Sequence, residues 1–278
     1  MSSFATLASH IANMLVELLR PEYDPAREHA WHLSIWMAPE LHAWCVHDRA
    51  TGVVMALQAD HGEDMPAQDR TPLKPVSVSF TALPETSTLV PESALTAGNE
   101  MRHLKMVHGT LPTGLLRDEP IATLGARCIY LHDEAAERIL MSRYPHARSL
   151  PLQGTMVHSA MARSGQGPAL VLHRSALRVD IAIAHEGRLL LTNNFHAVTA
   201  EDVLYYTLFA LEQCGISPKG CALFTGGTHL TAPEEEMLIR YFDHALPLIA
   251  SNDTMIVDSG LEQAHHWSGL IEQFACAS

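Results

Sequence analysis

Between Arg188 and Gly227 the hydrophobic pattern changes period twice, and those changes predict strand, helix, strand and turn in that order. The apolar run Leu189–Leu191 has strand length, is entered from the turn His185-Glu186-Gly187 and is left through Asn193-Asn194. Thr199, with Asp202 three residues on, supplies a helix start, because its oxygen can accept an orphan amide while the acid suits the positive helix end. Leu204, Leu208 and Leu211 then share one face with Val203, Thr207 and Ala210 beside it, and Gly215 with Pro218 supplies the stop. More than half of this helix's girth is apolar, which predicts cover on both sides. Cys221-Ala222-Leu223-Phe224 is too short for a helix and ends at Gly226-Gly227; it predicts a buried strand parallel to its predecessor.

The same patterning yields two related openings. From His32 to Ala59, strand-like runs at Leu33–Met37, His42–Val46 and Val53–Leu57 are joined by short turns, which is an antiparallel meander. A second meander spans Pro168–His173, Leu177–Ile183 and Arg188–Thr192, and in it Leu177, Val179, Ile181 and Ile183 alternate with Arg178, Asp180, Ala182 and Ala184. The repetition predicts a mixed α/β protein of two lobes, residues 1–152 and 153–278. Each lobe is a mixed sheet opened by three antiparallel strands and completed by helix-linked parallel ones. Between the meanders, Val76–Ala82 and Ser87–Leu95 predict a small strand pair, and Asn99–Leu116 gives no regular pattern. Ala126–Leu131 predicts a strand and Asp133 caps a short helix ending at Tyr144-Pro145. Pro151 and Gly154 bracket the lobe crossing, and a helix around Thr155–Ala162 follows. Ser164-Gly165-Gln166-Gly167 reads as a plain loop. Phe4, Leu7, Ile11, Leu15 and Leu18 have helical spacing, interrupted by Glu17 and with no basic leader; this predicts an amphipathic helix and neither a signal nor a membrane span.

Composition narrows the function classes. At 278 residues the chain is near the size at which one core divides. A net charge of −13 with only 18 Lys and Arg argues against an electrostatic grip on nucleic acid or anionic lipid. Five cysteines, none in a CxxC pair, read as reduced, mostly buried thiols of a cytoplasmic protein. The 18 histidines invite a metal reading. Yet His29 with His32, His42 with His47 and His265 with His266 lack the Cys or carboxylate partners of a zinc site, so they are read as solvated or hydrogen-bonded groups that lend pH sensitivity.

Several segments together resemble an uncharacterised bacterial family of unknown function whose fold is similar to an actin-like ATPase (ribonuclease H-like). They are Leu33-Ser34-Ile35, the STLVPESAL run at Ser87–Leu95, RYPHA at Arg143–Ala147 with His158 downstream, LLLTNNFHAVTAEDVLYYTLFALEQ, the LFTGG turn, and HHWSGLIEQFACAS from His265. The most specific is N-N-F-x-x-x-T-x-E-D-V-x-Y-Y, from Asn193 to Tyr206. The resemblance implies two actin-like lobes and brings no substrate or catalytic residue. In active members of that superfold an acid and a glycine end the first strand of each lobe and serve the metal and the phosphates. Here the corresponding turns are Ile35-Trp36-Met37-Ala38-Pro39-Glu40 and His173-Arg174-Ser175-Ala176-Leu177, both without the glycine and the phosphate-loop acid. The glycine pair in Phe224-Thr225-Gly226-Gly227-Thr228 is open to two readings: a tight structural turn, or an adenosine cradle in which Gly226, Gly227 and Thr228 would contact ATP with Mg. Thr231 and Glu234 cap the next helix, and Glu235 and Glu236 beside them would repel a phosphate. Asp180, near His173 and Arg178, is read as a surface or inter-lobe salt bridge. The expectation is therefore a non-catalytic scaffold that binds a protein partner, at the cleft or across Pro84–Arg117. An ATPase with His173, Arg174, Gly226 and Gly227 at the nucleotide is the alternative, and a metal buffer ranks last.

Overall fold

The computed structural model describes residues 14–39, 41–61, 70–249 and 263–277. In chain order the strands are β1 (Met14–Leu19), β2 (Trp31–Ala38), β3 (Leu41–Asp48), β4 (Val54–His61), β5 (Ser77–Ala82), β6 (Thr86–Pro91), β7 (Leu115–Ile121), β8 (Ala126–His132), β9 (Arg148–Ser149), β10 (Ala169–Ser175), β11 (Arg178–His185), β12 (Arg188–His196), β13 (Ala222–Gly226) and β14 (His244–Pro247). The helices are α1 (Glu100–His108), α2 (Glu134–Arg143), α3 (Leu152–Arg163), α4 (Ala200–Gln213), α5 (Ala232–Ile239), α6 (Ser268–Ile271) and α7 (Gln273–Ala277).

Two sheets repeat one topology. The first has the order β1-β4-β3-β2-β5-β9 and the second β12-β11-β10-β13-β14. In each, three antiparallel strands form the meander expected from the pattern, and the opening strand is flanked by a parallel one: β5 on β2 and β13 on β10. β13 therefore runs in the expected direction but pairs with β10, two places away from β12. A third, antiparallel sheet, β6-β8-β7, is inserted in the chain between β5 and β9 of the first, and Leu104 of α1 packs on its Val90, Ile129 and Leu131.

The layers follow from which strand faces are apolar. Trp31, Leu33, Ile35 and Phe80 on the outer face of the first sheet pack with Leu140 of α2. Leu172, Ile181 and Ile183 on the outer face of the second pack with Val203 and Leu211 of α4 and Leu238 of α5. Between the two inner faces lies one continuous core, built from Trp36, Cys45 and Leu57 of the first sheet and Val171, Ala182 and Ala184 of the second. Leu152, Met156, Val157 and Ala160 of α3 and Trp267, Leu270 and Ile271 near the C-terminal end fill the space between. The terminal helices α6 and α7 thus cross back from the second sheet to the first. There Gln273 donates from Nε2 to the Ile35 carbonyl (3.1 Å) and accepts at Oε1 from Ser79 Oγ (2.9 Å).

Several sequence expectations are corrected. Leu18 belongs to strand β1, paired with β4, and not to a helix; Phe4, Leu7 and Ile11 lie outside the described residues. β5 and β6 do not pair with each other: β5 joins the first sheet and β6 the inserted one, and the stretch Asn99–Leu116, which gives no regular pattern in the sequence, holds the helix Glu100–His108 and the start of β7. Asn193 and Asn194 do not end β12 but continue it to His196 by pairing with Ile181 and Asp180. The Thr199/Asp202 capping box of α4 forms as predicted. Cover on both sides does not: only one flank of α4 meets α5, and Tyr205 is left 61 % and Phe209 37 % exposed.

Candidate functional site

The ends of the two opening strands, β2 and β10, meet the Gly226-Gly227 turn and the start of α6 at one junction. Trp36 and His173 touch there, with ring centroids 5.5 Å apart. Gly269 lies against both: a Cβ at that position would come within 2.7 Å of the Trp36 ring and 3.1 Å of His173 Nε2. His173 is fully enclosed. Burial first, then the positive charge of Arg178 and His229, lowers its pKa from 6.5 to about 3, so it is neutral at physiological pH. Neither of its ring nitrogens has a hydrogen-bond partner among the described residues, and the same holds for Trp36 Nε1 and Ser268 Oγ.

The glycine turn is closed by the chain itself. The Gly227 N–H donates to the His265 carbonyl (3.1 Å), and the Leu230 N–H donates to the Gly227 carbonyl (3.1 Å). Gly227 has φ +115°, and any Cβ there would overlap the Arg174 backbone; one at Gly226 would strike Ser268 Oγ and lie 2.7 Å from the His265 carbonyl oxygen. Thr228 is half-buried with Oγ1 3.0 Å from His229 Nδ1. Arg174 is committed inward: Nε donates to Glu234 Oε1 (2.9 Å), and Nη1 donates to the carbonyls of Ser175 (2.6 Å) and Ala197 (3.1 Å). Glu234 serves as both the capping-box partner of Thr231 and the counter-ion of Arg174.

A second polar cluster crosses between the sheets beside this junction. Asp180 is buried, not superficial, and accepts from Arg178 Nε (2.9 Å). Arg178 Nη1 also donates to the Glu85 carbonyl. The Glu85 carboxylate in turn accepts from the Leu152 (3.0 Å) and Gln153 (3.2 Å) amides. It thereby caps α3, whose own N-cap residue Pro151 offers no side-chain acceptor. Burial pushes both carboxyls upward, against the opposing pull of Arg178. Glu85 carries no sequence signal for this role, since the helix it caps lies 67 residues downstream.

The histidine pairs resolve differently from their spacing. His32 and His47 are buried, with Phe274 stacked on His47 and edge-on to His32. His32 reaches Ser77 Oγ (2.8 Å) and Ser79 Oγ (3.1 Å). Burial, with Arg49 nearby, lowers His32 to about 4, and burial beside His32 lowers His47 to about 3. His265 Nε2 is 3.2 Å from Glu235 Oε1 without an aligned hydrogen bond, and burial lowers its pKa. No three His, Cys, Asp or Glu side chains among the described residues are placed to hold a metal ion. All five cysteines are free, and Cys45, Cys128 and Cys221 are buried. No helix among the described residues is long and apolar enough to cross a membrane.

Duplicated sheets of this strand order, facing each other across α3 and the returning α6 and α7, define the actin-like ATPase fold. A Bacteroides thetaiotaomicron protein of actin-like ATPase fold and unknown function superposes with a TM-score of 0.70 at 17 % identity, over 86 % of this chain and 99 % of its own. The ethanolamine utilization protein EutJ from Carboxydothermus hydrogenoformans gives 0.49 at 8 % identity, over 92 % of each chain. A PilM–PilN type IV pilus biogenesis complex gives 0.45 at 11 % identity, over 90 % of this chain and 99 % of that one. At these identities the likeness is one of fold. Residues 77–243 match the family described as Protein of unknown function (DUF3822), and the chain belongs to that family. No curated protein matches the chain in sequence.

Proposed function

We propose that this chain is a non-catalytic, cytoplasmic member of the actin-like class that works by binding a protein partner. In this reading residues 1–152 and 153–278 form the two lobes, with the terminal helices crossing back to the first. The observation that carries the reading is the packing of Trp36 on His173 with Gly269 against both. These three residues fill the junction of the two strand ends, where the superfold would present its phosphate-binding loops. ATP with Mg does not fit the residues there. The Gly227 amide is taken by His265, Arg174 is held by Glu234, and Gly226 and Gly227 are tight because protein atoms occupy the space a ligand would need. The nearest carboxylate on the meander, Asp180, is bound to Arg178. The five unpaired cysteines suit a reducing compartment.

The rival reading, a nucleotide-binding ATPase or phosphotransferase with His173, Arg174, Gly226, Gly227 and Thr228 at the ligand, draws on the unpartnered nitrogens of His173 and Trp36. Thermal melting with Mg-ATP, Mg-ADP, Mg-GTP and Mg alone separates the two. A ligand at 100 times its Kd stabilises the folded state by about 2.7 kcal/mol. The proposal expects coincident melting curves, and a rise in Tm with a nucleotide but not with Mg alone refutes it.

A further inference from the structure

The Asn193–Tyr206 stretch, the most specific part of the sequence pattern, takes no part in the junction described above. It forms a surface of its own. β12 is the terminal strand of the second sheet, bonded to β11 on one side and to no strand among the described residues on the other. After a register shift between Ile183 and Ala184, Leu191–His196 runs in regular register, with neither proline nor lysine in the strand to discourage further pairing. Beside this open edge stands an aromatic ridge. Phe195 of β12 stacks on Tyr206 of α4 (4.6 Å) and meets Phe209 edge-on (6.4 Å), and Phe209 stacks on Tyr205 (6.1 Å). Val198 is 57 % and Leu190 45 % exposed close by. The exposed face of α4 reads Glu201, Tyr205, Phe209, Glu212, an aromatic centre between two acids. Between Arg178 and Lys219 the chain has one basic residue, Arg188, against Glu186, Glu201, Asp202 and Glu212 in addition to the buried Asp180.

We infer that the open edge of β12 and the Tyr205–Phe209 ridge dock an extended, positively charged segment of a partner protein, which adds a strand to the second sheet. The inference rests on the partner-binding reading and assigns it a surface and a chemistry. Backbone pairing supplies the affinity, as in other strand-addition complexes. Arginine or lysine side chains of the added strand lie over Tyr205 and Phe209 and pair with Glu201 and Glu212. A second copy of this chain is the wrong occupant, because its own edge would bring the same excess of acids face to face.

The test is selection of a random twelve-residue phage-displayed library on the full chain, with the affinity of the enriched peptides measured by fluorescence polarisation. The expected peptides carry net positive charge. They bind about tenfold or more weaker to Tyr205→Ala and to the double variant Glu201→Lys/Glu212→Lys. N-methylation of alternate amides along one edge of such a peptide abolishes binding, whereas methylation along the other edge is tolerated. Because the altered side chains are exposed, circular dichroism and melting should match the native protein. Acidic or uncharged peptides, the absence of any enriched binder, or indifference to N-methylation overturns the inference. So does a concentration-dependent dimer that Tyr205→Ala dissolves. Peptides that bind but ignore both variants remove this surface while leaving the partner-binding reading intact; only a nucleotide-specific rise in Tm removes that reading.

Discussion

Three histidines enclosed without charge make this protein acid-sensitive, and replacing one of them tests the effect quantitatively. His32, His47 and His173 have folded pKa values of about 4, 3 and 3 against 6.5 for the free side chain. Because each folded value is depressed, the unfolded chain binds more protons than the folded one between that value and 6.5. The stability they permit is complete above 6.5 and falls as pH drops through that window. At pH 5 each unfolded imidazole has gained about 2 kcal/mol by protonation that the folded one forgoes, or about 6 kcal/mol for the three. That is a large part of the roughly 5–15 kcal/mol that holds a typical domain. Glu85 and Asp180 work in the opposite direction. Their folded pKa values are raised, so the folded state holds protons that the unfolded carboxylates have already released, and the net loss is smaller than the histidine sum. His173→Leu isolates one contribution, since this side chain has no hydrogen bond to sacrifice and the replacement is apolar and close in size. Urea unfolding of native and variant protein at pH 7 and pH 5 should show the variant losing about 2 kcal/mol less over that interval. An equal loss in both proteins would show that the junction is open to water and the imidazole ordinary.

Two further substitutions probe the packing and the inter-sheet cluster. Gly227→Ala, at φ +115° against the Arg174 backbone, should cost about 2–4 kcal/mol in urea, whereas Gly220→Ala, with open space around it, should stay within about 0.5 kcal/mol. A tolerated Gly227→Ala would mean the turn has room for a ligand after all. Arg178→Met strands the buried Asp180 carboxylate and removes the positive charge near Glu85, whose carboxylate keeps its Leu152 and Gln153 amides; it should cost about 3–5 kcal/mol at pH 7, a deficit that narrows relative to the native protein as acid neutralises Asp180 and Glu85. A deficit constant with pH would exclude this charge network as its cause.

The meanders were legible because each strand carries its own alternation and its own turns, and the caps of α4 and α5 because Thr199/Asp202 and Thr231/Glu234 are local signals. What escaped was non-local. Leu18 reads as helical because helix and strand share short apolar spacings, and only its partner Leu57 decides between them. β5 and β6 read as a pair because they are neighbouring strand-like runs, and nothing in either says that one joins β2 and the other β8. Asn193 and Asn194 look like a turn by type but pair within β12, where tertiary context overrides propensity. At the junction, the missing loop glycines could be read from the turns, but the contact that fills the space brings together Trp36, His173 and Gly269 from three distant segments. The Glu85 cap escaped for the same reason.

The link from Gln273 to Ile35 and Ser79 spans 238 and 194 positions of sequence. A ribosome therefore releases the first sheet long before the last helices that cover its inner face have been made. Until α6 and α7 emerge, the core that α3 and the second sheet share with Trp36, Cys45 and Leu57 lacks Trp267, Leu270 and Ile271, so the inner face of the first sheet is incompletely covered during translation. Docking of the carboxy-terminal helices is thus a long-range step that closes the core after translation has passed Gln273, and transiently exposed apolar surface of this kind is what makes partly folded chains aggregation-prone.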